Sequence, residues 1–200
     1  MSIETDNGAH QPGWLRVTHW LNAIAVVIMV MSGWRIYNAS PIFDFEFPAA
    51  VTLGGWLGGA IQWHFAAMWL LAVNGVFYLA CGLISGRLRR QMLPLRRRQL
   101  WADLTAALTG KLAHANDGRY NAVQKAAYLF IIVDLVVLVL SGLVVFKPVQ
   151  FPLLRELMGG FDNARIVHFF AMAALMGFLV VHVAMALLVP RTIVAMIRGH

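Results

Sequence analysis

Two histidines, His168 and His182, stand 14 positions apart in the apolar run from Ala164 to Val189. At about 100° per residue this interval is four turns less about 40°, so on a helix both imidazoles leave one face. At about 1.5 Å per residue they lie roughly 21 Å apart along the axis. A hydrocarbon layer of about 30 Å then puts one of them toward each side of a membrane. His19 and His64 open the first two apolar runs, and alternating helix directions level His64 with His168 and His19 with His182. Neutral imidazole is a good axial ligand for haem iron, and two of them give a six-coordinate, low-spin iron that changes oxidation state with little rearrangement. Zinc or copper requires more ligands gathered at one point. One intramembrane histidine is ordinarily a hydrogen-bonded packing residue. Four of them, in two cross-helix pairs at opposite depths, predict two bis-histidine b haems stacked across the bilayer, with His64 and His168 on the outer iron and His19 and His182 on the inner one. His10, His114 and His200 lie in polar or terminal segments and read as solvated.

The elements that must position these ligands are long apolar helices. The chain has 200 residues, 60% hydrophobic and 12% charged, and a mean hydropathy of +0.70, far from a soluble globule. Spans of about 20 residues are expected at about Leu15–Tyr37, Ile61–Ser85, Ala126–Phe146 and Ala164–Val189. The fold class is therefore an all-α integral membrane protein, a four-transmembrane-helix bundle with two stacked b haems, forming a single membrane domain over residues 1–200. Between the first two spans, Asn38 to Ala60 contains Pro41, Pro48 and the Gly54, Gly55, Gly58, Gly59 cluster. It is too broken to span and too apolar to be a free loop, and reads as a structured segment at the periplasmic interface. No internal repeat stands out.

The net charge of +7 is concentrated rather than spread: nine of the 16 basic residues fall between Arg87 and Lys125. Beside long apolar runs such a cluster marks residues 86–125 as a cytoplasmic loop rather than a nucleic-acid surface. Counted over both sides, 12 Lys and Arg lie with the termini and this loop against four on the other side, placing both termini in the cytoplasm of a bacterial inner-membrane protein. The polar start of the chain lacks the basic n-region of a removable signal, so the first run is expected to be retained as a span. Cys81 is the only cysteine, which excludes an intrachain disulfide, a cluster held by this chain alone and covalent haem attachment through C-x-x-C-H.

Two glycines answer the histidines. Gly33 lies 14 residues after His19, on nearly the same face at the opposite depth, and Gly75 lies 11 after His64. Each reads as a notch where a macrocycle ligated by the neighbouring level passes, or as ordinary helix packing; Gly177, opposite His168, reads as packing. Arg35 at the outer end of the first span either pairs with a haem propionate or snorkels to headgroups. Asp134, mid-span, is read as a structural, hydrogen-bonded carboxyl or part of a proton path.

With these residues placed, the sequence resembles the di-haem cytochrome b family that includes the membrane subunits of nickel-iron hydrogenases and formate dehydrogenases together with bacterial cytochrome b561. The resemblance covers nearly the whole chain. It is carried by Arg16-Val-Thr-His19-Trp20-Leu-Asn22, Trp63-His64-Phe65, the interval from His168 to His182, and Gly118-Arg-Tyr120-Asn121-Ala-Val-Gln124-Lys125. It implies the same ligand pairs, and it implies a quinone site at Tyr120, Asn121, Gln124 and Lys125, residues that equally suit capping and interfacial anchoring.

The expected function is a di-haem electron carrier across the inner membrane, between a periplasmic oxidoreductase partner of hydrogenase, formate dehydrogenase or molybdenum oxidoreductase type and the quinone pool. Asn38 to Ala60 would be the dock. The competing expectation is a stand-alone cytochrome b561-type superoxide:quinone oxidoreductase, with Lys147, Arg155 and Arg165 drawing the anion. Membrane lipid is an expected partner, nucleic acid is not, and homo-oligomerisation is left open.

Overall fold

The computed structural model describes residues 11–86 and 122–199, without the side chains of residues 122, 123 and 125. No strand occurs among the described residues. Among the described residues four helices are long and apolar enough to cross a membrane: α1 (Gly13–Ala39), α2 (Leu57–Ile84), α3 (Ala122–Phe146) and α5 (Phe161–Leu188). The short helices α4 (Pro152–Leu157) and α6 (Pro190–Arg198) lie before and after α5. The four long helices are apolar on every side, as lipid demands, and side chains such as Trp69 and Val76 of α2 are about two-thirds exposed. In α6, by contrast, Arg191, Ala195 and Arg198 share one face while Ile193, Val194 and Ile197 share the other, the pattern of a helix at an interface.

The chain separates into two compact units, residues 1–87 with 191–200, and residues 88–190. The first holds an α1/α2 hairpin. Thr18, Ala25 and Ser32 of α1 are fully buried at every seventh position, and Ala60, Ala67 and Asn74 of α2 are buried in the same rhythm. A seven-residue stripe of small side chains keeps one seam facing the partner helix and lets the two backbones approach closely. Near one end Asn74 donates from Nδ2 to the Thr18 carbonyl and to Oδ1 of Asn22, both at 2.7 Å. Beyond the other end, residues 40–56 fold back on α1: Phe47 stacks on Trp34 with ring centroids 4.7 Å apart, Asn38 exchanges two hydrogen bonds with the backbone of Phe47, and the Leu53 amide donates to the Met31 carbonyl. The expected structured segment is thus held by aromatic stacking and backbone bonds, with Gly54 at φ 107° making a turn that L side chains rarely adopt. The same unit includes α6, fastened to α1 where Arg16 donates to the Ile197 carbonyl and Trp20 to the Met196 carbonyl.

The second unit holds an α3/α5 hairpin built on the same register. Asp134 and Ser141 of α3 are buried seven positions apart, as are Ala164 and Ala171 of α5. The step from Ser32 to Ser141 carries Ala25 onto Asp134, and the step from His64 to His168 carries Ala60 and Ala67 onto Ala164 and Ala171. The chain therefore does contain an internal repeat, contrary to the sequence reading. Its sequence signature is Val-x-x-Val-x-Ser-Gly in α1 and α3, and Ala-x-x-x-His-Phe-x-Ala-Met in α2 and α5.

Candidate haem-binding histidines

The close approach of α1 and α2 puts the His64 imidazole directly on the α1 backbone. Nδ1 of His64 lies 3.1 Å from Oγ of Ser32 and 3.1 Å from the Met29 carbonyl oxygen. The Ser32 hydroxyl spends its proton on its own helix, donating to the Ile28 carbonyl at 2.6 Å, as serines inside apolar helices do. Its lone pair is left to accept, and a carbonyl can only accept. Nδ1 of His64 must therefore carry the ring proton and donate to both. Nε2 is then the unprotonated nitrogen, the one with a lone pair for a metal.

Glycine makes this geometry accessible. The Met29 carbonyl already accepts within the helix, and its remaining lone pair faces the neighbouring helix over position 33, four residues on. At Gly33 a Cβ would stand 3.5 Å from Cε1 of His64, so any longer side chain would occupy the place of the ring. Gly33 thus lies against the imidazole itself. No described atom stands within 4 Å of a Cβ placed at Gly75 or at Gly177, so neither glycine meets a packed neighbour among the described residues.

The second hairpin repeats the arrangement with different apolar residues. Nδ1 of His168 lies 3.0 Å from Oγ of Ser141 and 3.1 Å from the Leu138 carbonyl, Ser141 donates to the Val137 carbonyl at 2.6 Å, and a Cβ at Gly142 would stand 3.3 Å from Cε1 of His168. Sequence reasoning missed Ser32, Ser141 and Gly142, although the Ser-Gly pair occurs in both helices.

The other two histidines break the repeat. Tyr128 holds in α3 the position of His19 in α1, and Tyr78 holds in α2 the position of His182 in α5. His19 meets the ring of Trp20 edge-on at 5.5 Å, and His182 stacks on Phe178 at 5.8 Å. Within Arg16–Asn22, Arg16 and Trp20 hold α6 while Thr18 and Asn22 receive Asn74, so the motif is largely the fastening around His19. Asp134 is 7% exposed and its Oδ2 has no hydrogen-bond partner among the described residues. Arg35 lies half-buried in the last turns of α1. Of the expected quinone residues, Gln124 lies exposed in the first turn of α3; Tyr120, Asn121 and the Lys125 side chain fall outside the described residues, as do His10, His114, His200 and nearly all of the basic loop.

The donor set fits haem: two imidazoles, each with Nδ1 anchored by oxygen acceptors and Nε2 unprotonated, which is how ligating histidines are ordinarily held. The family described as prokaryotic cytochrome b561 matches residues 10–199. The chain belongs to that family. Membership makes it a multi-pass membrane protein of electron transport whose cofactor is haem b. It is 65% identical over 192 residues, covering 96% of this chain and 97% of the relative, to the Azospira oryzae protein named "Putative protein-methionine-sulfoxide reductase subunit YedZ1". It is 29% identical over 185 residues, covering 92% of this chain and 81% of the relative, to the cytochrome b556(fdo) subunit of formate dehydrogenase from Escherichia coli K12.

Proposed function

We propose that this chain is a di-haem b cytochrome that carries electrons across the bacterial inner membrane from quinol to a periplasmic methionine-sulfoxide reductase. His64 and His168 would ligate the outer iron, and His19 and His182 the inner one. The matched cradles of His64 and His168 carry the haem reading, because they supply two equivalent imidazoles with the same nitrogen, Nε2, left unprotonated. The pairing across hairpins rests on the depths deduced from sequence. The partner class is supported by the Azospira oryzae relative, similar over nearly the full length of both chains. Bound haem supplies a reversible one-electron couple. Reducing one sulfoxide to thioether and water consumes two electrons and two protons, which one quinol releases on becoming quinone, so direction and stoichiometry agree.

In this reading the residues of the chain divide the work. Ser32, Met29, Ser141 and Leu138 fix the ligand rings, which keeps geometry constant between oxidation states. Residues 38–60, folded on the end of α1, offer Phe45 and Trp56, exposed by 45% and 68%, to a soluble partner. Gln124, with Tyr120, Asn121 and Lys125, would bind the quinone carbonyls at the cytoplasmic side.

The reading is tested with purified, haem-loaded protein in liposomes. A quinol analogue should reduce the b haem at once, and a methionine-sulfoxide reductase with its sulfoxide substrate should reoxidise it. Protein inert to quinol and reductase but reduced by superoxide would be the stand-alone enzyme instead.

A further inference from the structure

The serine–carbonyl cradles do more than hold two rings in place. Each imidazole donates one proton to two oxygen acceptors at once, a hydroxyl and a backbone carbonyl, at 3.0–3.1 Å. Each serine is committed as an acceptor because its own hydrogen is bound at 2.6 Å to the preceding turn. Such a partner cannot turn round and donate. Pulling on the Nδ1 proton places more electron density on Nε2, makes the ring a stronger ligand and favours the more positive metal ion. The environment sharpens the effect: Ser32 and Ser141 are fully buried, where no water competes and hydrogen bonds are electrostatically stronger. His19 and His182 occupy the positions at which the repeat is broken by tyrosines, Tyr128 and Tyr78 standing at the corresponding places in the other hairpin.

We propose that Ser32 and Ser141 are positioning residues that tune the reduction potential of the haem held by His64 and His168, lowering it by strengthening both axial ligands. This rests on the haem reading above and extends it to residues with no contact to iron. The sign is definite: removing a hydroxyl weakens the pull on Nδ1, weakens the ligand and raises the potential. The carbonyl remains as second acceptor, so the loss is partial. About a threefold change in the oxidised-to-reduced ratio is expected for each serine, from the fraction of a net hydrogen bond that differs between oxidation states. The double change should approach tenfold, equivalent to about 59 mV for a one-electron couple.

The experiment is a spectropotentiometric titration of detergent-purified, haem-loaded full-length protein, parent against Ser32→Ala, Ser141→Ala and the double variant. Haem per chain is counted by pyridine haemochrome. Ser32→Thr and Ser141→Thr retain a hydroxyl able to bond the preceding turn. The proposal expects the alanine variants to raise the potential of one haem, the double variant to add the two shifts, the other haem to stay put and the threonine variants to return toward the parent. Loss of haem from alanine variants with retention in threonine variants also supports it. Unmoved potentials in haem-replete alanine variants, equal shifts of both haems, or equal loss of haem from alanine and threonine variants overturn it. Shifts of two different haems by the two serines would sustain the cradles and contradict the pairing of His64 with His168. A parent protein without haem overturns the functional reading itself and this inference with it.

Discussion

Nδ1 of His64, on α2, lies 3.1 Å from Oγ of Ser32 on α1, and Ser32 in turn lies one residue before the glycine that leaves room for the ring. The same three-part contact joins His168 to Ser141 and Gly142. A hairpin that needed only to bury apolar surface would have no use for either serine. The contact gives the imidazole one tautomer, one orientation and one unprotonated nitrogen.

Glycine substitutions should grade with the space available. Gly142→Ala, whose Cβ meets the His168 ring at 3.3 Å, requires a small movement; Gly33→Ala, at 3.5 Å, makes an ordinary contact. Low-spin haem electron paramagnetic resonance should be displaced more by Gly142→Ala than by Gly33→Ala. Valine at either position should release the haem, since its methyls extend into the ring. Identical spectra for all four variants would mean the rings do not ligate.

Gly75 is a different test. No described protein atom would touch a Cβ there, so the helices tolerate alanine. If a macrocycle passes over Gly75, as the sequence reading expects, Gly75→Leu lowers haem content while leaving thermal stability of the apoprotein unchanged. Full haem content in Gly75→Leu removes the notch.

Asn74 binds the α1/α2 hairpin through two side-chain bonds of 2.7 Å in a buried position. Asn74→Ala should destabilise the protein by about 1 kcal/mol, the usual worth of interhelical hydrogen bonds in lipid, measured as unfolding in mixed detergent. A stability within error of the parent would show that the Thr18 carbonyl and Asn22 find other partners.

Asp134 takes the place that Ala25 fills in the other hairpin, and its Oδ2 has no hydrogen-bond partner among the described residues. Burying such a group in a hydrocarbon-depth helix costs stability, so Asp134→Ala should be neutral or stabilising by up to about 2 kcal/mol in the same unfolding assay, with haem content intact. Marked destabilisation would instead assign the carboxyl a structural bond.

The four spans were legible because length and uniform apolarity are enough to specify helices in lipid, and each observed helix lies within a few residues of its expected limits. The histidines were legible as polar groups where none is favoured. The cradles were not, for two reasons. Serine in an apolar helix ordinarily satisfies itself on the preceding turn, so its second role emerges only when another helix arrives. The repeat also has no fixed period: Ser32 precedes His64 by 32 residues, whereas Ser141 precedes His168 by 27, because the segments that join the two long helices within each hairpin differ in length. The spacing from His19 marks Gly33 as a notch for a macrocycle; the neighbour found at Gly33 is the His64 imidazole, which spacing along one helix could not reveal.

The most direct measurement is haem per chain by pyridine haemochrome, with reduced-minus-oxidised spectra, for the parent protein and for His64→Ala and His168→Ala. About two b haems are expected in the parent and about one in each variant, with the same spectral component missing from both. Two haems retained in either variant, or different components lost from the two, would contradict the assignment of His64 and His168 to one iron.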